Sequence, residues 1–147
     1  MLIGIDGRMT PELLHCLARM GHGDEIVVAD ANFPANSTAE HCNVKEAIQL
    51  PGLDAPATIE LITQLMPLEG FADYSALRME IDGEPETLGE VHSEGFAVME
   101  SRLPETGSLS SLERQDFYVQ AKRAFAVVRT TEARPFGCFI LRKGVVF

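Results

Sequence analysis

The sequence predicts an α/β fold, with a central mixed sheet flanked by helices in three layers and one domain spanning residues 1–147. Three observations carry this reading. Stretches with helical apolar spacing alternate with short strand-like runs along the whole chain. One run, Ile26-Val27-Val28-Ala29, is continuously apolar, as for a strand covered on both faces. No internal repeat occurs, so the alternating elements are expected to share one sheet between helices.

The elements follow in order. Thr10-Pro11-Glu12 starts a helix: Thr caps, Pro is preset for the first helical position, and Glu12 complements the positive end. Leu13, Leu14, Leu17, Ala18 and Met20 mark its apolar face, His15 falls opposite, and Gly21 is placed to end it in a left-handed conformation. After the 26–29 strand, residues 31–45 have no period and contain Asn32, Pro34, Asn36 and Ser37, which predicts a loop. A strand is expected around 46–50, a helix over 56–68, and a strand over 74–81 with alternating Leu77, Met79 and Ile81, closed by an Asp82-Gly83 turn. A helix over 86–103 is interrupted by Gly89 and Gly95, and 104–111 reads as an exposed loop. A helix over 113–123, a strand over 125–129, a turn at 134–137 and a last strand over 139–142 complete the chain.

Composition narrows the function. At 147 residues, the chain is long enough to bury roughly 70% of its unfolded surface. No long apolar run predicts a membrane span, and the start MLIGIDGRM lacks the features of a secretory signal, which points to the cytoplasm. Cys16, Cys42 and Cys138 are odd in number and lack metal-knuckle spacing, so reduced thiols are expected. The net charge of −10 disfavours nucleic acid. That charge is uneven: residues 113–147 hold seven Lys and Arg against three carboxylates. An ordinary solvated surface accounts for this most simply, and contact between acidic and basic faces of neighbouring subunits is the sharper alternative.

The stretch GHGDEIVVADANFP, residues 21–34, holds the chemistry. Its GxG follows a helix and precedes a strand, the reverse of a dinucleotide-binding turn, and no P-loop, HExxH or GxSxG pattern occurs. His22, Asp24, Asp30, His41 and Cys42 are ligand types without the spacing of a recurrent metal site, so no metal is expected. His22 follows a helix C-terminus, where the dipole and a nearby Asp24 or Asp30 favour the imidazolium and would suit it to donate a proton. Capping of the helix carbonyls explains the same residue equally well. Asp30 ends the buried strand, where α/β sheets bind ligands, although turn initiation alone is the simpler account. The pattern would place His22 and Asp30 on one rim.

Residues 10–37, TPELLHCLARMGHGDEIVVADANFPANS, and 114–144, which include FYVQAKRAFAVVRTTEARPFGCFILRKG, resemble the family of L-fucose mutarotases and D-ribose pyranases. The resemblance implies interconversion of the ring forms of a free aldose without metal or cofactor, by ring-shaped homo-oligomers, often decamers, with sites at subunit contacts. It implies that His22 is the proton donor and that Asp30 and Arg114 contact the sugar. Phe136, Gly137 and Cys138 stand where the family commonly has a tyrosine, a small residue and an asparagine, and are the remaining expected sugar contacts. Phe136 lacks the phenol hydroxyl and Cys138 lacks the paired donor and acceptor of an amide. Such a loss costs on the order of 1 to 3 kcal/mol and weakens the assignment of fucose itself. A sugar-binding or transport-accessory protein without catalysis is the alternative that this altered segment sustains.

Overall fold

The computed structural model describes residues 1–147. At its centre lies β1 (Glu25–Ala29), paired in parallel with β5 (Ala126–Thr130) on one side and antiparallel with β6 (Phe139–Arg142) on the other. Strand β2 (Ile48–Leu50) adds in parallel outside β5. Beyond β6, β3 (Ala76–Met79) runs antiparallel to it and β4 (Leu109–Leu112) runs parallel to β3. The order β2-β5-β1-β6-β3-β4 gives a mixed sheet, as expected from the sequence, with six strands where five were expected.

Both faces are covered, which explains the unbroken apolar run of β1. Ile26 and Val28 join the core beneath α1 (Pro11–Arg19), α3 (Ala55–Thr63) and α4 (Glu90–Glu100). Val27 and Ala29 join a second core with α2 (Ala35–Ala39) and α5 (Arg114–Ala121). Helix α4 approaches the sheet closely because Gly95 lacks a side chain: a Cβ there would stand 2.7 Å from Cζ of Phe139. What reads in the sequence as a helix interruption is a packing requirement.

Several local expectations are corrected. Thr10 caps α1 as expected, its Oγ1 accepting from the Leu13 N–H at 3.2 Å. Gly21, however, is not left-handed; the chain leaves α1 through an extended Met20, and Gly23 takes the positive φ of 86°. No left-handed cap is needed, because Lys143 Nζ donates to the carbonyls of Leu17 and Met20 at 3.0 and 2.5 Å. Residues 31–45 include the short helix α2, and the expected loop at 104–111 is partly the edge strand β4. Helix α3 stops at Thr63 and α4 begins at Glu90. All four residues of β3 are buried, Arg78 among them, so its expected half-exposed alternation is absent.

This topology fixes which chain ends meet. The carboxyl end of β1 adjoins the amino end of β6, where Val28 pairs with Phe139. Antiparallel pairing of β3 with β6 brings Arg78 beside Phe139 and so places Met79 at the same edge. Strand β4 runs with β3, so α5 also starts there. Residues 30, 79, 114 and 136–138, distant in sequence, therefore converge.

Candidate functional site

The convergence forms a cleft of about 190 Å³ whose wall includes Asp30, Phe33, Arg114, Tyr118, Phe136 and Cys138. It is smaller than the roughly 300–1,000 Å³ of drug-sized ligand sites and suits a compact molecule. Asp30 is buried; its Oδ1 accepts from the N–H groups of Asn32 at 3.0 Å and Phe33 at 2.8 Å. The turn anticipated from the sequence is thus real, and it occupies only one carboxylate oxygen. Arg114 opens α5, its Nε donating to both Asp82 oxygens at 3.0 and 2.9 Å while its guanidinium lies over the Tyr118 ring.

The third wall is the segment 131–138. Glu132 is buried, and its carboxylate accepts from the Arg134 N–H and Nε, each at 2.9 Å, from Arg134 Nη2 at 2.9 Å and from the Ala55 N–H at 3.2 Å. Burial alone would raise the Glu132 pKa; the Arg134 side chain and backbone N–H, with the Ala55 N–H, outweigh it and bring the group down to about 2. Glu132 therefore ties the segment to the start of α3 as an ion. Gly137 fits only as glycine, since a Cβ would stand 2.7 Å from Glu132 Cγ and 3.1 Å from the Arg134 carbonyl oxygen. Phe136 is left-handed at φ 57°, the one residue other than glycine with positive φ. That conformation costs about 1 to 2 kcal/mol and persists where the surroundings enforce it. Cys138 is buried, with Sγ accepting from the Asp30 N–H at 3.4 Å; burial, reinforced by the Asp30 charge, pushes its thiol well above the ordinary value.

His22 lies elsewhere. It precedes β1 whereas Asp30 follows it, and a strand of this length spans about 17 Å. The expectation that the two share a rim of one chain is therefore corrected. Asp24 is also not its partner, because Oδ2 is turned to the Gly21 N–H at 2.7 Å. Nor does His22 cap α1, a task taken by Lys143. Instead Nε2 meets Oε2 of Glu69 at 2.5 Å. Glu69 is buried, and its Oε1 accepts from the N–H groups of Gly70 at 2.8 Å and Phe71 at 2.9 Å. Burial opposes its ionisation, but the Phe71 and Gly70 N–H groups, together with His22, hold its pKa below the ordinary value. The ionised carboxylate orients a half-exposed imidazole, edge-on to Phe71, whose Nδ1 has no partner within the chain. Glu69, 47 residues away, gave no sequence signal; only the return of the chain beside β6, where the Glu69 N–H donates to the Arg142 carbonyl, brings it there.

A larger surface cavity of about 450 Å³, between α1 and β2, is lined by Glu12, His15, Cys16 and Arg19 among others and includes none of the groups above. His41 is exposed and Cys42 is buried, its thiol donating to the Thr38 and Ala121 carbonyls, so the two do not act together. No three His, Cys, Asp or Glu side chains gather closely enough to hold a metal ion.

Comparison with known proteins decides the family. The sequence profile of the RbsD / FucU transport protein family matches residues 3–146. The chain belongs to that family. Among its relatives, the fucose mutarotase of Homo sapiens is 43% identical over 99% of this chain and 94% of its own length. The L-fucose mutarotase of Haemophilus influenzae is 42% identical, covering 99% of this chain and 97% of the relative. The crystal structure of the fucose mutarotase from Streptococcus pneumoniae in complex with L-fucose superposes with a TM-score of 0.87 at 34% identity, covering 99% of this chain and all of the other. The fold is thus shared over nearly the whole chain, including residues 38–107 between the two stretches that carry the sequence resemblance.

Proposed function

We propose that the protein is an isomerase, a mutarotase that interconverts the anomers of a free aldose, L-fucose or a close relative, between copies of the chain. The observation that carries this is the division of the chemistry. The cleft at the carboxyl end of β1 has groups that recognise a sugar but no imidazole. The His22–Glu69 pair has a proton to exchange, is half open to solvent and lines none of the principal clefts. Each half supplies what the other lacks, so a homo-oligomer that seats His22 of one copy against the cleft of another completes the site; the decameric ring of the family reading is one such assembly.

In this site Asp30 and Arg114 hold sugar hydroxyls and Phe136 lies against the apolar face of the ring. His22, protonated, gives its proton to the ring oxygen as the C1–O5 bond breaks. The hydroxyl proton on O1 leaves to Asp30 or a water, and the electron pair becomes the C1 carbonyl. Rotation about C1–C2 and reversal of the steps close the other anomer. A positioned acid of this kind contributes about 10² to 10⁴-fold, useful for a reaction that already proceeds in water. The net charge of −10 favours an unphosphorylated ligand, and buried free thiols at Cys16, Cys42 and Cys138 agree with a reducing cytoplasm.

NMR exchange spectroscopy on equilibrated L-fucose, D-ribose, galactose and glucose tests the reading. Enhanced exchange that collapses in His22→Ala is expected. Binding without exchange would instead favour the accessory protein that the Phe136 and Cys138 departures keep in view, and unchanged exchange in His22→Ala would refute the acid's role.

A further inference from the structure

The left-handed Phe136 that walls the cleft is not held by any residue of the sugar-contact set. Its carbonyl accepts a hydrogen bond from Nε2 of His92 at 2.8 Å. His92 is fully buried in the first turn of α4, its ring edge-on to Phe139 at 6.0 Å. Its other nitrogen, Nδ1, receives the N–H of Gly89, the residue that caps α4, at 3.0 Å. A backbone N–H can only donate, so Nδ1 is unprotonated and the ring proton sits on Nε2, pointed at Phe136. Burial lowers the His92 pKa, the Phe136 carbonyl opposes this, and the neighbouring Arg78 cation on β3 adds to it, so the neutral ring is the form present.

We infer that His92 is a positioning residue: through its Nε2–H tautomer it links the cap of α4 to the Phe136 carbonyl and keeps the strained turn that presents the Phe136 ring to the cleft. The inference deepens the mutarotase reading and rests on it for its kinetic consequence. Phe136 meets an unreactive face of the sugar, so the contact is equal in ground and transition states. Its loss raises KM and leaves kcat largely unchanged.

Two variants separate the bond from the volume. His92→Phe keeps an aromatic ring against Phe139 and removes the donor, whereas His92→Gln keeps an N–H that reaches the same carbonyl. For L-fucose exchange, His92→Phe is expected to raise KM about tenfold with kcat within about twofold, and His92→Gln to recover most of the loss. In the unliganded wild type, nitrogen NMR should show His92 protonated at Nε2 alone at neutral pH. The Phe136 Cα shift should leave its left-handed value in His92→Phe and keep it in His92→Gln. A proton on Nδ1, an unmoved Phe136 in His92→Phe, or equal impairment by both variants would overturn the inference. Should His92→Phe not fold, the wild-type tautomer and the Phe136 shift of His92→Gln still decide it. A wild type that exchanges no aldose, with the unliganded shifts as expected, would refute the mutarotase reading and leave the role of His92 in the turn intact.

Discussion

The half-exposed ring of His22 and the buried carboxylate of Glu69 meet at 2.5 Å, Nε2 to Oε2, so the proposed acid carries its own counter-ion. The remaining carboxylate oxygen is fixed by two backbone N–H groups, which leaves the imidazole a single orientation toward solvent. A hydrogen bond to an ionised carboxylate is short and directional, which keeps Nε2 as the ring nitrogen that faces Glu69.

Glu69→Gln keeps the shape and removes the charge. The expected outcome is a fall in kcat for anomer exchange of about 10 to 10²-fold with little change in KM, measured by NMR exchange. An unchanged kcat would separate Glu69 from the chemistry.

Glu132 predicts the acid limb of stability. Its pKa in the folded protein, about 2, lies below the ordinary 4.5, so the stabilisation is complete above the ordinary value and is lost as pH falls toward 2. The shift corresponds to roughly 3 kcal/mol. Urea unfolding between pH 7 and pH 2 should show this loss in the wild type. Glu132→Gln should be less stable at neutral pH by about 1 to 3 kcal/mol, because Arg134 loses its buried partner while keeping Glu94 at 2.8 Å, and should depend less on pH.

At Gly95 two effects compete. Alanine is favoured in a helix interior over glycine by about 1 kcal/mol. The added Cβ, however, would stand 2.7 Å from Phe139 Cζ and 3.2 Å from Ile59 Cδ1, and overpacking costs about 1 to 3 kcal/mol. Gly95→Ala is therefore expected to lower the midpoint of unfolding despite the better propensity.

Phe136→Tyr restores the hydroxyl that the family commonly has at this position. On the proposed sugar site it should tighten L-fucose by about 1 to 2 kcal/mol, read as a Kd lower by five- to thirtyfold in titration calorimetry. An unaltered Kd would mean that the ring edge at 136 does not face a sugar hydroxyl.

The sequence was most legible where the signal is local. The Thr10-Pro11 start of α1 and the apolar run of β1 are set by nearest neighbours, and both are found in the fold. Strand β4 was hidden because Leu109-Ser110-Ser111-Leu112 has weak strand character and pairs only at the edge, with β3. Glu69, Glu132 and His92 were missed for another reason. Each acts on a residue or segment brought to it by sheet pairing or helix packing: 47 residues away for Glu69 and 44 for His92, while Glu132 reaches 77 residues back to Ala55. The separation of His22 from Asp30 followed from β1 itself, since a motif that reads as one patch straddles the length of a strand.

The central claim, that His22 of one copy serves the Asp30 cleft of another, is tested most directly by mixing His22→Ala with Asp30→Asn protein. Each variant alone should be nearly inactive. After subunit exchange at equal amounts, random assembly should restore about a quarter of the wild-type exchange rate, because a site that draws one residue from each variant can be fully native. No recovery in verified mixed oligomers would contradict the claim.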